Sequence, residues 1–153
     1  WCMGVCRLGL AVGAAQLVEA LRRAEAVIGF NQSTALQQGA IRALREFSQW
    51  PLELHPIYRE RRDRVVDTLS ARGWQVPRSE MAMYLWMPVP AAARLRGWSD
   101  GVTAAELLTR SGVALTPGSG FGAGGRDWLR MALVRPVDEL VAAATRLADA
   151  LDG

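Results

Sequence analysis

Residues 128–134 read Trp128-Leu129-Arg130-Met131-Ala132-Leu133-Val134, one arginine set among apolar residues. An extended chain points successive side chains to opposite faces. As a strand, this segment puts Leu129, Met131 and Leu133 on one face, and Trp128, Arg130, Ala132 and Val134 on the other. The first face suits a core. The second carries a guanidinium that cannot shed its charge inside a protein, so burying it demands an anion in good geometry. The planar fork suits a carboxylate or a phosphate, often through two parallel hydrogen bonds. Small Ala132 leaves room beside it. The strand reads as the floor of an anion site, unless Arg130 pairs with a distant Asp or Glu or reaches solvent at a strand end.

The flanks extend this reading. Upstream, Thr116-Pro117-Gly118-Ser119-Gly120-Phe121-Gly122-Ala123-Gly124-Gly125 is a glycine-rich turn. Its backbone N–H groups could approach an anion, or the glycines could serve only an irregular turn. Downstream, Pro136 suits the first position of a final helix, with Asp138 and Glu139 in its first turn. Val137, Leu140, Val141, Ala144, Leu147 and Leu151 form its apolar stripe. Further back, Met81 to Met87 reads as a strand ended by Pro88, residues 91–101 as a loop, and 113–115 as a short strand. Thr103 and Glu106 match a capping box before Leu107 and Leu108.

The first half has a different rhythm. Residues 6–12 (Cys6-Arg7-Leu8-Gly9-Leu10-Ala11-Val12) read as a short buried strand ended by Gly13. Arg7 is thus a second arginine in an apolar run. Helices are expected at 14–28 and about 33–47, with Asn31 or Ser33 as the cap of the second. A long helix over 53–72 places Pro56 in its first turn and ends at Gly73. The pattern predicts an α/β fold: a strand with helices, then a small α+β region.

Composition limits the chemistry. The chain has 153 residues, about one domain's worth, and no apolar run long enough for a membrane-spanning helix. Its basic residues are 18 arginines and no lysine, so no side-chain amine is present to form a Schiff base. One histidine and two cysteines are too few for a four-ligand Cys/His zinc site. A net charge of +3 is weak support for a nucleic-acid partner. The Arg59–Arg64 run reads as a solvated helix face, with a phosphate-tracking surface as the lesser reading. His55 reads as a capping or solvated residue, and Cys2 and Cys6 as small core residues in a reducing cytoplasm. The chain opens on Trp1 in an apolar segment, which reads as a start in mid-fold, a fragment or a processed piece.

Taken together, these segments resemble a known family. Trp1-Cys2-Met3-Gly4-Val5-Cys6-Arg7-Leu8-Gly9, Met83-Tyr84-Leu85-Trp86, and Thr116 to Gly122 followed by Leu129-Arg130-Met131-Ala132-Leu133 are similar, in order and spacing, to the C-terminal part of class I/II, fold-type I, pyridoxal-phosphate-dependent aminotransferases. The resemblance implies the end of a large cofactor-binding domain over 1–52, a linking helix over 53–73 and a small C-terminal domain over 74–153. It implies a cofactor, pyridoxal 5′-phosphate, whose phosphate Arg7 would hold. Arg130 would clamp the substrate α-carboxylate, and Asn31 would lie on a loop sent towards the neighbouring subunit's site. The Schiff-base lysine would lie two residues before Trp1, so this chain would carry no catalytic residue of its own. An amino acid and a 2-oxoacid are the implied substrates, in a cytoplasmic homodimer with no nucleic-acid or membrane partner. Val5 departs from the family's usual glycine. The competing reading is a non-catalytic carboxylate- or phosphate-binding module built on the same arginines.

Overall fold

A computed structural model of the chain describes residues 6–29, 32–80 and 82–152. They divide into two compact units, Trp1–Glu53 and Leu54–Gly153. Among the described residues, no helix is long and apolar enough to cross a membrane.

The first unit holds α1 (Ala15–Ile28), α2 (Thr34–Glu46) and the start of α3 (Trp50–Ser70). Both expected helices form. Ser33 occupies the N-cap position of α2, but its hydroxyl makes no capping bond; its carbonyl accepts from the Gln37 amide at 3.0 Å. The apolar stripes do not become a core: no residue of α1 or α2 is buried. Leu36, Ala40 and Leu44 instead share a cavity of about 140 Å³ with Cys6, Leu8 and Leu10.

The strand expected over 6–12 is not present. A strand exists only where a neighbour completes its hydrogen-bond ladder, and no described residue pairs with this segment. Arg7 also has φ of +50°, outside the extended region. Val12 is 95% exposed, so the segment is not buried either.

The second unit is built on a three-stranded antiparallel sheet in the order β1-β3-β2, with β1 at Tyr84–Pro88, β2 at Thr116–Pro117 and β3 at Trp128–Ala132. The register sets Trp86 opposite Arg130 on one side and Thr116 opposite Arg130 on the other. Alternation sorts the faces as predicted. Leu85, Met87, Leu129, Met131 and Leu133 are buried, while Tyr84, Trp86, Trp128 and Arg130 lie on the half-open face. Helices cover the buried face. Val65, Val66 and Leu69 come from α3, Ala104 and Leu107 from α5 (Asp100–Ser111), and Leu140, Ala144, Leu147 and Leu151 from α6 (Val137–Asp152). Gly73, with φ of +81°, ends α3 in the left-handed conformation, and the Trp74 amide returns to the Leu69 carbonyl at 3.0 Å.

Several local expectations shift. Helix α3 starts at Trp50, with Pro51 in its first turn, so Pro56 falls inside it. Pro56 is exposed, and solvent can serve the carbonyl that its missing N–H leaves free. Residues 91–101 are not a loop: they form α4 (Ala91–Leu95) and open α5. The cap of α5 is Ser99, whose Oγ accepts from the Val102 amide at 3.3 Å. The Thr103 and Glu106 pair therefore sits inside the helix. The Thr103 hydroxyl donates back to the Ser99 carbonyl at 2.7 Å, and Glu106 pairs with Arg110 at 3.1 Å. Residues 113–115 make no strand; the ladder with β3 begins only at Thr116.

The arginine run on α3 is not a uniformly solvated face. Arg61 Nη1 donates to the Leu133 carbonyl at 3.0 Å, and Arg62 Nη1 to the Ser79 carbonyl at 2.7 Å. Arg62 and Arg78 also both bond Asp63. Burial pushes the Asp63 carboxyl up, but these two guanidinium groups outweigh it and hold it below the usual range. Two of the run's arginines thus tie α3 to backbone carbonyls of its own unit.

Leu129→Ala should destabilise the second unit by about 2–5 kcal/mol, because Leu129 is fully buried and leaves a cavity. Leu17→Ala, on exposed α1, should cost no more than about 0.5 kcal/mol. Urea unfolding curves of the two variants check the contrast.

Candidate anion-binding site

The site grows from the half-open face of the sheet. Arg130 stands at the middle of β3, half-buried. Among the described residues it has no ion pair with a carboxylate. Its guanidinium carbon instead lies 4.4 Å from the centre of the Tyr84 ring and 4.5 Å from that of Phe121. Rings at that distance attract a cation electrostatically and exclude water from one side of it. They accept no hydrogen bond in the guanidinium plane, so the N–H fork keeps its capacity for an anion. Trp86 extends the aromatic cluster, stacked with Trp128 (centroids 6.1 Å, planes 12° apart) and edge-on to Phe121 (5.6 Å, 75°).

Two 3₁₀ turns, Gly118–Phe121 and Ala123–Gly125, bring Phe121 to this face. The glycines have distinct uses. A Cβ on Gly118 would lie 2.2 Å from the Gly125 carbonyl oxygen and 2.8 Å from that of Trp128. A Cβ on Gly125 would lie 2.0 Å from the Gly118 oxygen. These two glycines let the turn fold back onto the start of β3. Gly122, at φ +115°, supplies a conformation that other residues rarely adopt.

Asp100 fastens the turn from α5. Only 5% exposed, it accepts the Ser119 amide proton on Oδ2 at 2.8 Å. The Ser119 hydroxyl, and then its amide, hold the Asp100 carboxyl below the usual carboxylate range against the opposing effect of burial.

The expected site residues fall in different places. Arg130 is where strand alternation put it, and Tyr84, Trp86 and Phe121 gather round it. Arg7 belongs to the first unit, exposed, with no ion pair among the described residues. Asn31 lies outside the described residues. Asp100 was missed because residues 91–101 read as a loop. The signal was the Ser99-Asp100 pair, a capping serine followed by a first-turn acid. Among the described residues, no group of His, Cys, Asp and Glu is arranged to hold a metal ion.

Known proteins are similar to this chain in sequence and in fold. The family model for class I and II aminotransferases matches residues 3–147. The chain is 34% identical over 143 residues to the LL-diaminopimelate aminotransferase of Dehalococcoides mccartyi, covering 94% of this chain and 36% of that protein. It is 39% identical over 142 residues to the enzyme of the same name from Desulforudis audaxviator, covering 92% and 35%. Among solved structures, an aminotransferase from Staphylococcus aureus superposes with a TM-score of 0.83 at 25% identity, over 98% of this chain and 39% of that one. A probable N-succinyldiaminopimelate aminotransferase from Thermus thermophilus gives 0.73 at 33% identity, over 91% and 36%. The chain belongs to the class I and II aminotransferase family and has its α/β fold. It spans about a third of the length of the curated relatives it matches.

Two outcomes follow from the turn. Gly118→Ala should cost about 1–3 kcal/mol or more, because the new methyl meets backbone oxygens rather than a movable side chain. Thermal unfolding beside a Gly120→Ala control, which meets nothing within 4 Å, measures it. The second outcome concerns acid. A carboxyl held low in the folded state stabilises the fold above its unfolded pKa of about 4, and that contribution fades as pH falls through the folded value. Asp100→Asn should therefore flatten part of the stability loss below about pH 4, as read from urea midpoints across the acid range.

Proposed function

We propose that this chain is the C-terminal part of a pyridoxal-phosphate-dependent aminotransferase that moves an amino group between an amino acid and a 2-oxoacid. The observation that carries the reading is Arg130: a half-buried guanidinium set against two aromatic rings, with no carboxylate of the described chain to neutralise it. Such a group is built to receive an anion from outside. Arg130 clamps the substrate α-carboxylate. Arg7, likewise without an acid partner among the described residues, takes the cofactor phosphate. Asn31 contributes to substrate binding in a homodimer.

The domain assignment belongs to the same proposal. Residues 1–52 close a large cofactor-binding domain, 53–73 link, and 74–153 form a small C-terminal domain. In the cytoplasmic enzyme, the rest of the large domain covers the exposed stripes of α1 and α2. The names of the two bacterial relatives favour a diaminopimelate-type amino donor and a place in amino-acid biosynthesis. Family membership over residues 3–147 disfavours the non-catalytic module.

The donor set fits the cofactor's chemistry: guanidinium forks suit both a phosphate and a carboxylate. When bound, pyridoxal phosphate supplies an electron sink for the charge left at the substrate Cα. The chain's own part is orientation. Arg7 would hold the phosphate and Arg130 the substrate carboxylate, and a carboxylate held by a fixed fork loses rotational freedom before the reaction, which lowers its entropic cost. Removing the proton at Cα takes a base, and with no lysine this chain has no side-chain amine to serve as one.

Arg130→Leu should weaken carboxylate binding by about 2–3 kcal/mol, or roughly 30- to 150-fold, while phosphate binding stays within about twofold. Arg7→Leu should do the reverse. Calorimetric titration with an amino acid and with pyridoxal phosphate separates the two, and an unchanged carboxylate affinity in Arg130→Leu sinks the clamp. The 153-residue chain, mixed with pyridoxal phosphate, amino acids and 2-oxoacids, should give no turnover above the free-cofactor background.

A further inference from the structure

The middle of the turn that carries Phe121 has open space around its glycines. A Cβ on Gly120, Gly122 or Gly124 would meet nothing within 4 Å, and Phe121 is itself 52% exposed. Glycine loses more backbone freedom on ordering than any other residue, so such a turn needs fixed points. Two are present. Gly118 is wedged against the backbone of Gly125 and Trp128. One residue further on, the Ser119 amide is held by Asp100 at 2.8 Å. Among the described residues, Asp100 has no ion pair with an arginine. A nearly buried carboxylate on α5 thus holds Ser119 through its hydroxyl and its amide, two residues before the ring that lies against Arg130.

Arg130 needs such help. Its side chain is long and flexible, and no acid of the described chain orients it. The contacts that hold the guanidinium are the rings of Tyr84 and Phe121. Tyr84 is fixed by the β1–β3 ladder, opposite Ala132. Phe121 is held by its turn and by its edge-on contact with Trp86.

We propose that Asp100 is a positioning residue for Arg130: by holding the Ser119 amide it keeps the Phe121 ring against the guanidinium and so holds the fork in one orientation for a carboxylate. The inference rests on the reading of Arg130 as the carboxylate clamp, and adds that its aim is set from a different helix.

The test uses the full chain, labelled with ¹⁵N. The Arg130 Nε–Hε resonance, assigned by its loss in Arg130→Lys, should be displaced by the ring currents of Tyr84 and Phe121. In Asp100→Ala it should move towards the position of exposed arginines, and acetate affinity should fall about tenfold or more. Asp100→Asn keeps an oxygen that can accept from the Ser119 amide, and should retain both properties to within about threefold. Phe121→Leu, at an exposed position, should reproduce Asp100→Ala even if the latter fails to fold. A resonance and an affinity unchanged in Asp100→Ala or Phe121→Leu would overturn the proposal, as would Asp100→Asn losing as much as Asp100→Ala. Failure of the clamp reading looks different: acetate binding is then absent or indifferent to Arg130→Leu, while the resonance still reports on Asp100.

Discussion

A guanidinium keeps its charge throughout the pH range of a folded protein, and Arg130 carries that charge in the middle of a sheet. Desolvating it without compensation would be prohibitive. The fold answers with aromatic rings instead of an acid. Tyr84 and Phe121 flank the cation, and Trp86 and Trp128 extend the cluster along the same face. A neutralising aspartate would have closed the fork. Rings stabilise the charge and leave the N–H groups able to bind an anion, which is what the proposed carboxylate clamp requires.

The glycine-rich turn is the second consequence. Bringing Phe121 onto β3 requires the chain to reverse and lie against its own backbone, closer than any Cβ allows at Gly118 and Gly125. The residues that permit the approach also make the turn costly to order. Asp100 offsets part of that cost through the Ser119 amide, at the expense of burying a carboxylate. Helix, turn and strand in the second unit thus form one chain of support leading to one cation.

Much of the second unit was legible in its side-chain pattern. Leu129, Met131 and Leu133 alternate with Arg130, and a period of two is a direct readout of which residues face the core. The α6 stripe and the Gly73 stop are equally local signals. The errors lie where local chemistry competes with long-range packing. Thr103 and Glu106 satisfy a capping-box pattern, yet Ser99 starts the helix one turn earlier. Residues 6–12 have the composition of a strand, but hydrogen-bond partners are not written in a segment's own composition. Arg61 and Arg62 look like surface charges until carbonyls seventeen and more residues away are folded next to them.

The amino-acid order alone determined that two arginines stand in apolar runs, that no lysine is available for imine chemistry, and that the motifs from Thr116 to Leu133 follow one another at an aminotransferase-like spacing. These are properties of neighbours along the chain. Tertiary structure alone decided that Arg130 meets rings instead of an acid, that Asp100 reaches Ser119, and that Arg7 sits outside any ladder. Each depends on residues distant in sequence, and only the fold's burial and register bring such groups within hydrogen-bonding or stacking distance.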